Sequence, residues 1–320
     1  MTIISKCTES IIKDAALALK EGHLVAFPTE TVYGLGADAT NEKAVARIYE
    51  VKGRPKDHPL IVHISSMELL NKWASEIPDY AIKLARAFWP GPMTLVLKRT
   101  ELVKDFITGG QDTVAIRVPS HTLANQLLKE FESLGGYGVA APSANRFGKV
   151  SPTNSQAVEE ELDNFLLEND QILDGGQSQI GIESTIINCT KKTPSILRPG
   201  SITIEMVENL LGEKISELDT IVKGVKTPGS FETHYSPNAK VILDELPSKG
   251  DGYIALENIT TPIGVIRLAS PKNDEEYAKI LYESLRTADK NGLKKVFVTL
   301  PEDRGVGVAI IDRLIKAAKR

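Results

Sequence analysis

Apolar residues recur at helical spacing over 9–20, with Ile11, Ile12, Ala15, Ala16 and Leu19 on one face, and the apolar run Leu24–Phe27 follows as a short strand. The same alternation continues for the first two hundred residues. Asn41 is placed to cap a helix running through Glu50, with Gly53 just beyond its end. Leu60–Ile64, Thr94–Leu97 and Val114–Val118 read as buried strands, the last ending at Pro119. Ser120 is placed to cap a helix to about Phe131, after which Tyr137–Ala141 returns as a strand. Strands follow at 170–173, 184–188 and 195–198, with a short helix near 203–211. This pattern predicts a mixed α/β unit with one large sheet.

The periodicity weakens between about Glu213 and Asn238, where KGVKTPGSFETHYSPNAK reads as a linker. Beyond it, Val241–Leu243, Tyr253–Leu256, Gly264–Leu268 and Lys295–Leu300 are short strands, and helices are expected over 274–288 and from about Arg304. The division predicted is 1–212 for a first α/β domain, 213–239 for a linker and 240–320 for a small α/β, Rossmann-like domain.

Composition narrows the function classes. A chain of 320 residues with 42% hydrophobic and 25% charged residues can bury a sizeable core, which excludes disorder and collagen-like repeats. Two cysteines, Cys7 and Cys189, are too few for a disulfide scaffold or a four-thiolate zinc site and suit a reducing compartment. No run of about 18 apolar residues is present, so no membrane span is expected. Lys6, Glu9, Lys13 and Asp14 interrupt the N-terminal apolar positions as no signal peptide core does, and the chain reads as cytoplasmic. With 38 basic against 42 acidic residues the net charge is −4, so affinity for a polyanion has to come from a local cluster.

The sharpest such cluster is Lys52-Gly53-Arg54-Pro55-Lys56-Asp57-His58-Pro59, where glycine and prolines stiffen a loop at a helix end. Cations fanned from a rigid platform suit phosphate; the same residues also suit a solvated loop that neutralises a helix C-terminus. A second loop, Ala141 to Lys149, follows a strand and offers backbone N–H groups, the Ser143 hydroxyl, Arg146 and Lys149 to an anion, or forms an ordinary Asx-type turn. Gly34-Leu35-Gly36-Ala37-Asp38-Ala39 matches the letters of a dinucleotide fingerprint, but six residues separate it from the preceding strand and no helix opens there. Its glycines are expected in a tight turn. Arg117 has to project from the sheet face opposite Ile116 and Val118, as a surface charge or toward a cavity where it can hold a carboxylate. His63 by itself is as well placed to pack as to bind, and Arg198-Pro199-Gly200 reads by default as a turn. There is no P-loop, no H-E-x-x-H, no zinc-spaced cluster and no G-x-S-x-G elbow.

Taken together, KGRPKDHPLIVHI, APSANRFGKVSPT, GIESTIIN and Arg198-Pro199-Gly200 resemble the YrdC family, whose mark is Lys-x-Arg followed far downstream by Ser-x-Asn. Those positions are Lys52, Arg54, Ser143 and Asn145 here, and PGSFETHYSP is similar to the linker of the long, two-domain members. The resemblance implies a twisted sheet with helices around a concave, positively charged cavity that the linker covers. It implies synthesis of threonylcarbamoyl-AMP from L-threonine, bicarbonate and ATP, with release of pyrophosphate. A downstream transferase machinery would then modify the adenosine next to the anticodon of tRNA.

By motif, Lys52, Arg54, Ser143 and Asn145 would be the catalytic set, with His58, Thr113, Ser151, Arg198 and Tyr235 also on the ATP side. Arg117 would hold the threonine carboxylate, and Thr31, His63, the Ala141 backbone and Ser184 its amine and hydroxyl. Mg²⁺ would sit on phosphates and water, with no metal site built from side chains. Phosphate attraction alone gives weak RNA affinity. A non-catalytic RNA-binding protein is therefore the rival, though the basic loops lack interleaved aromatics for stacking bases. A hydrogenase-maturation carbamoyltransferase of the same fold would need more cysteines, and a nicotinamide oxidoreductase would need a true fingerprint.

Overall fold

The computed structural model describes residues 3–6, 8–215 and 234–319. Most of the expected linker, including Pro228 to Thr233, lies outside the described residues.

The strands are β1 (Ile3–Lys6), β2 (Val25–Phe27), β3 (Gly34–Asp38), β4 (Ile61–His63), β5 (Ala74–Ser75), β6 (Met93–Arg99), β7 (Thr113–Arg117), β8 (Val139–Ala140), β9 (Gln171–Asp174), β10 (Thr185–Asn188) and β11 (Ser195–Arg198), then β12 (Lys240–Leu243), β13 (Gly252–Ile254), β14 (Ile266–Ala269) and β15 (Lys295–Val298). The helices are α1 (Glu9–Glu21), α2 (Glu42–Lys52), α3 (Leu70–Trp73), α4 (Asp79–Phe88), α5 (Asp105–Thr108), α6 (Thr122–Ser133), α7 (Ser155–Leu162), α8 (Ile204–Leu211), α9 (Asp274–Lys290) and α10 (Gly307–Ala318). The first eleven strands form one mixed sheet in the order β1-β9-β2-β3-β8-β4-β7-β6-β10-β11, with β5 beside β6. The last four form a separate parallel sheet in the order β12-β15-β13-β14.

Alternation along the strands decides what each face of the large sheet meets. Ala26, Leu35, Val62, Leu95, Ile116 and Ile187 point to one face, where they join the largest apolar core with residues of α2 and α4. Val25, Phe27, Val139 and Leu173 point to the other face and are covered by α1 and α6. That cover stops partway across. Further along, Ile61, Val96, Ala115 and Ile186 form a small apolar floor of their own, and the concavity of the protein opens beside them.

The small sheet docks its helices toward that opening. Tyr277, Leu281 and Tyr282 of α9 and Ile310 and Leu314 of α10 share one apolar cluster with Val32, Val150 and Ile182 of the larger unit and with Tyr235. The other face of the small sheet, with Tyr253 and Phe297, packs against Ile242, Ile259 and Val265.

Two expectations are corrected. His121, not Ser120, caps α6: its Nδ1 accepts from Leu123 N at 3.2 Å, while the Ser120 N–H is directed to Glu30 Oε2 at 3.2 Å. Gly34 and Gly36 lie not in a tight turn but in β3, antiparallel to β2. The missing side chain of Gly36 makes room for neighbouring strands, since a Cβ there would come within 2.7 Å of Val139 Cγ1, 2.8 Å of Phe27 and 3.1 Å of Val25 O. Gly36→Ala is expected to destabilise the fold by about 1–3 kcal/mol through overpacking, read as a lower urea midpoint with an unchanged m-value. Asn41 does cap α2, accepting from Lys43 N at 3.1 Å and Ala44 N at 3.2 Å, and Gly53 ends that helix at φ 62°.

Candidate active site

The concavity is lined by residues from segments spread along the chain. Thr29, Thr31, Val32, Tyr33 and Gly34 come from β2–β3, and Arg54, Ile61 and His63 from the α2–β4 loop and β4. Arg117 ends β7, Ala141, Pro142 and Ser143 follow β8, and Glu183, Ser184 and Arg198 frame β10 and β11. His234 and Tyr235 complete the wall, leaving a free volume of about 50 Å³.

Every expected threonine residue lies on this lining: Thr31, His63, Arg117, Ala141 and Ser184. Arg117, buried to 4% exposure, is held on three sides. Its Nε donates to Gly91 O at 3.3 Å, Nη1 donates to Thr31 Oγ1 at 2.9 Å, and Nη2 pairs with Glu30 Oε1 at 2.6 Å. His63 stands in register with Arg117, its ring edge-on to Phe27 at 6.0 Å. Burial and the Arg117 charge push its pKa down to about 3, so it is a neutral imidazole. The Ala141 N–H is engaged with Ile61 O at 3.0 Å, which leaves the carbonyl as the group able to meet an amine. Ser184 shares a hydroxyl contact of 2.8 Å with Thr94 and accepts from Arg198 Nη2 at 3.1 Å.

The expected ATP residues divide. Arg54, Ser143, Arg198 and Tyr235 line the cavity; Lys52, His58, Thr113, Asn145 and Ser151 do not. Lys52 is 2% exposed, and its ammonium donates to the carbonyls of Ser143 and Asn145. Burial, then the Arg54 charge, lowers its pKa well below the ordinary lysine value. It is a tie between α2 and the loop after β8 rather than a side chain open to a phosphate. Asn145 works beside it, its amide donating to Arg146 O at 2.7 Å and Lys149 O at 2.9 Å. Ser151 donates to Glu183 Oε1 at 2.6 Å, His58 packs against Phe147 at 5.5 Å, and Thr113 sits at the far end of β7 from Arg117. The amides of Ala144, Phe147 and Lys149 all donate within the protein, Arg146 reaches the last carbonyls of α2, and Lys149 meets Asn238 Oδ1 at 2.7 Å. These groups are tied into the scaffold, and Ser143 is the residue of this loop beyond Pro142 that stands on the cavity lining.

Arg54 is the charge of the Lys-x-Arg pair that faces the cavity. Its Nη2 donates to Pro59 O at 3.0 Å while its Nε has no partner, and burial lowers its pKa only to about 10, so it stays cationic. Arg198 donates from Nε and Nη2 to Ser184 O at 3.1 and 2.9 Å. Tyr235 adopts φ 60°, a strained backbone for a side-chain-bearing residue, with its ring stacked on Tyr282 at 5.6 Å and its hydroxyl unpartnered.

Three site residues escaped the sequence reading. Glu30 balances Arg117, and His234 stands beside Tyr235 with ring centroids 4.1 Å apart. Glu183, inside the GIEST segment, accepts from Ser151, from Tyr282 at 2.9 Å and from Arg313 at 3.0 Å. Burial works to raise its pKa, but Arg313, Arg198 and Ser151 outweigh it and hold the carboxyl at about 2. The signal for His234 and Glu183 was adjacency to residues already chosen by motif.

These groups set an acid limit to stability. His63 and His234 are both held near a pKa of about 3 by burial, against 6.5 for the ordinary residue. Between those values the unfolded chain binds more protons, so each takes away up to about 1.4 kcal/mol per pH unit as pH falls through 6.5. Glu183 adds to the slope in the same direction below 4.5. Urea midpoints are expected to fall steadily from pH 7.5 to 5; a flat profile would contradict the buried neutral histidines.

Residues 17–200 match the family model Sua5/YciO/YrdC, described as "Telomere recombination", and residues 202–319 match the model of the threonylcarbamoyl-AMP synthase C-terminal domain. The chain belongs to the Sua5/YciO/YrdC family, in its two-domain form. It is 43% identical to threonylcarbamoyl-AMP synthase of Pyrococcus abyssi over 99% of this chain and 98% of the relative. With the Bacillus subtilis threonylcarbamoyl-AMP synthase the identity is 39% over 96% of this chain and 92% of the relative. The crystal structure of Pyrococcus abyssi Sua5 complexed with L-threonine superposes with a TM-score of 0.88 at 41% identity, covering 99% of this chain and 97% of that one.

Proposed function

We propose that the protein is a threonylcarbamoyl-AMP synthase, joining L-threonine, bicarbonate and ATP into threonylcarbamoyl-AMP with release of pyrophosphate and water. The observation that carries this reading is a single cavity whose lining brings Arg117, Thr31, His63 and Ser184 together with Arg54 and Arg198. The names of the full-length relatives agree with it.

Arg117 takes the threonine carboxylate, and the Ala141 carbonyl with neutral His63 meets the amine. The amine condenses with bicarbonate, losing water, and a carbamate oxygen attacks the α-phosphorus of ATP as pyrophosphate leaves. Arg54 and Arg198 neutralise the phosphate charge that builds up, and the unpartnered Arg54 Nε and Tyr235 hydroxyl are donors available to it. Glu183 is not a base here, because its oxygens are already hydrogen-bonded and its carboxyl is held ionised. Catalysis is mainly positioning and charge neutralisation.

Among the described residues no three His, Cys, Asp or Glu side chains converge to hold a metal. Mg²⁺ would arrive on the nucleotide phosphates and water, and no step above is routed through it. His234 and Tyr235 stand in the cavity wall, where the segment they belong to can cover bound substrates. No helix among the described residues is long and apolar enough to cross a membrane. The adenylate is consumed by a cytoplasmic transferase that modifies tRNA.

The test is pyrophosphate release from ATP with L-threonine and bicarbonate each supplied or withheld. Release requiring both supports the reading. Release with neither means a plain nucleotidase, and tight RNA binding without release would favour the RNA-binding rival.

A further inference from the structure

We propose that Arg313, on α10 of the small unit, is a positioning residue for the nucleotide side of the cavity, acting through Glu183 and the ring of Tyr235. The proposal rests on the adenylating function inferred above. Arg313 is 1% exposed and does not itself line the cavity, yet two of its contacts do. Its Nε donates to Glu183 Oε2 at 3.0 Å, and its guanidinium carbon stands 5.5 Å from the centroid of the Tyr235 ring. Its Nη1 is fixed by the adjacent Asp312 at 2.7 Å, which Lys316 braces from the next turn at 2.8 Å.

Tyr282 of α9 completes the arrangement. Its hydroxyl donates to the same Glu183 oxygen at 2.9 Å, and its ring lies nearly parallel to that of Tyr235, at 22°. One cation and one phenol from the small unit thus fix both a carboxylate in the wall and the aromatic ring that closes it. Glu183 precedes Ser184, whose carbonyl takes Arg198, so a displaced Glu183 would carry the phosphate-facing arginine with it.

A salt bridge that only docked two units would not need this placement. Arg286 of α9 shows the contrast: it is also buried, and its partners Glu161, at 3.1 Å, and Val150 O do not line the cavity. A buried ion pair is a costly way to gain stability alone. An arginine supplies what a lysine does not, a flat cation that hydrogen-bonds in its plane while its face covers a ring.

The experiment compares Arg313→Met, Arg313→Lys, Tyr282→Phe and Arg286→Met with the unaltered full-length chain in pyrophosphate release, alongside thermal unfolding. Arg313→Met is expected to raise the ATP KM about tenfold and the L-threonine KM, reached only through Ser184, by no more than about threefold. Arg313→Lys keeps the charge on Glu183 and recovers part of that loss; Tyr282→Phe shifts the ATP KM in the same direction by a few fold. Arg286→Met lowers the unfolding temperature with the ATP KM unchanged. A folded Arg313→Met with an unaltered ATP KM, or with both KM values raised alike, overturns the proposal. Should Arg313→Met not fold, Tyr282→Phe decides by the same criterion. If the unaltered chain shows no threonine-dependent release, the functional reading has failed, and calorimetric ATP binding to the same variants tests the positioning by itself.

Discussion

Arg117→Lys is expected to raise the L-threonine concentration needed for half-maximal pyrophosphate release by roughly a hundredfold, with ATP binding measured alone left nearly unchanged. The native guanidinium is anchored by Gly91 O, Thr31 Oγ1 and Glu30 together, on the lining of the cavity. A lysine can keep the ion pair with Glu30, so the buried carboxylate is not stranded and the fold survives. It cannot also keep the other anchors and present two donors to a carboxylate. A charged hydrogen bond lost is worth about 1.5–3 kcal/mol, so one near the upper end of that range accounts for the factor. If ATP binding weakens instead, Arg117 belongs to the nucleotide and its assignment here is wrong.

The second large effect is expected at Lys52. Lys52→Met retains the length of the side chain and removes the ammonium that ties α2 to the carbonyls of Ser143 and Asn145. Removing a buried cation relieves a desolvation cost, while two carbonyls lose their partner at about 1–3 kcal/mol each. The fold should therefore persist with a modest loss of stability. Turnover should fall about a hundredfold, because Ser143 lies on the cavity wall and small displacements of a positioned group cost that much. A Lys52→Met enzyme with turnover within about threefold of the original would show that the loop holds without the tie.

The two residues show which parts of the site could be found from sequence. Arg117 was traceable because a strand alternates: with Ile116 and Val118 in the core, its side chain has to leave by the other face. Lys52 belonged to a basic cluster that reads as exposed, and nothing local shows that its ammonium turns inward while Arg54, two residues on, faces the cavity. Similarly, Ser120 and His121 are both able to cap α6, and what separates them is Glu30, ninety positions away, drawing the Ser120 amide. Gly36 has the letters of a turn; its reason for being glycine lies in Phe27 and Val139 on neighbouring strands.

What the sequence determined by itself is the alternation of helices and strands, the capping of α2 by Asn41 and Gly53, the α/β class and the family motifs. These rest on interactions within a few residues: side-chain period, cap hydrogen bonds and permitted backbone angles. What the tertiary structure alone decided is how the charges are divided between ligand and scaffold. Lys52, Asn145 and Ser151 are turned to the scaffold, Arg54 and Arg198 to the cavity, and Glu183 is held by an arginine 130 positions later in the chain. Such pairings depend on which elements meet across the two sheets, and a buried charge takes the partner that the packing brings to it.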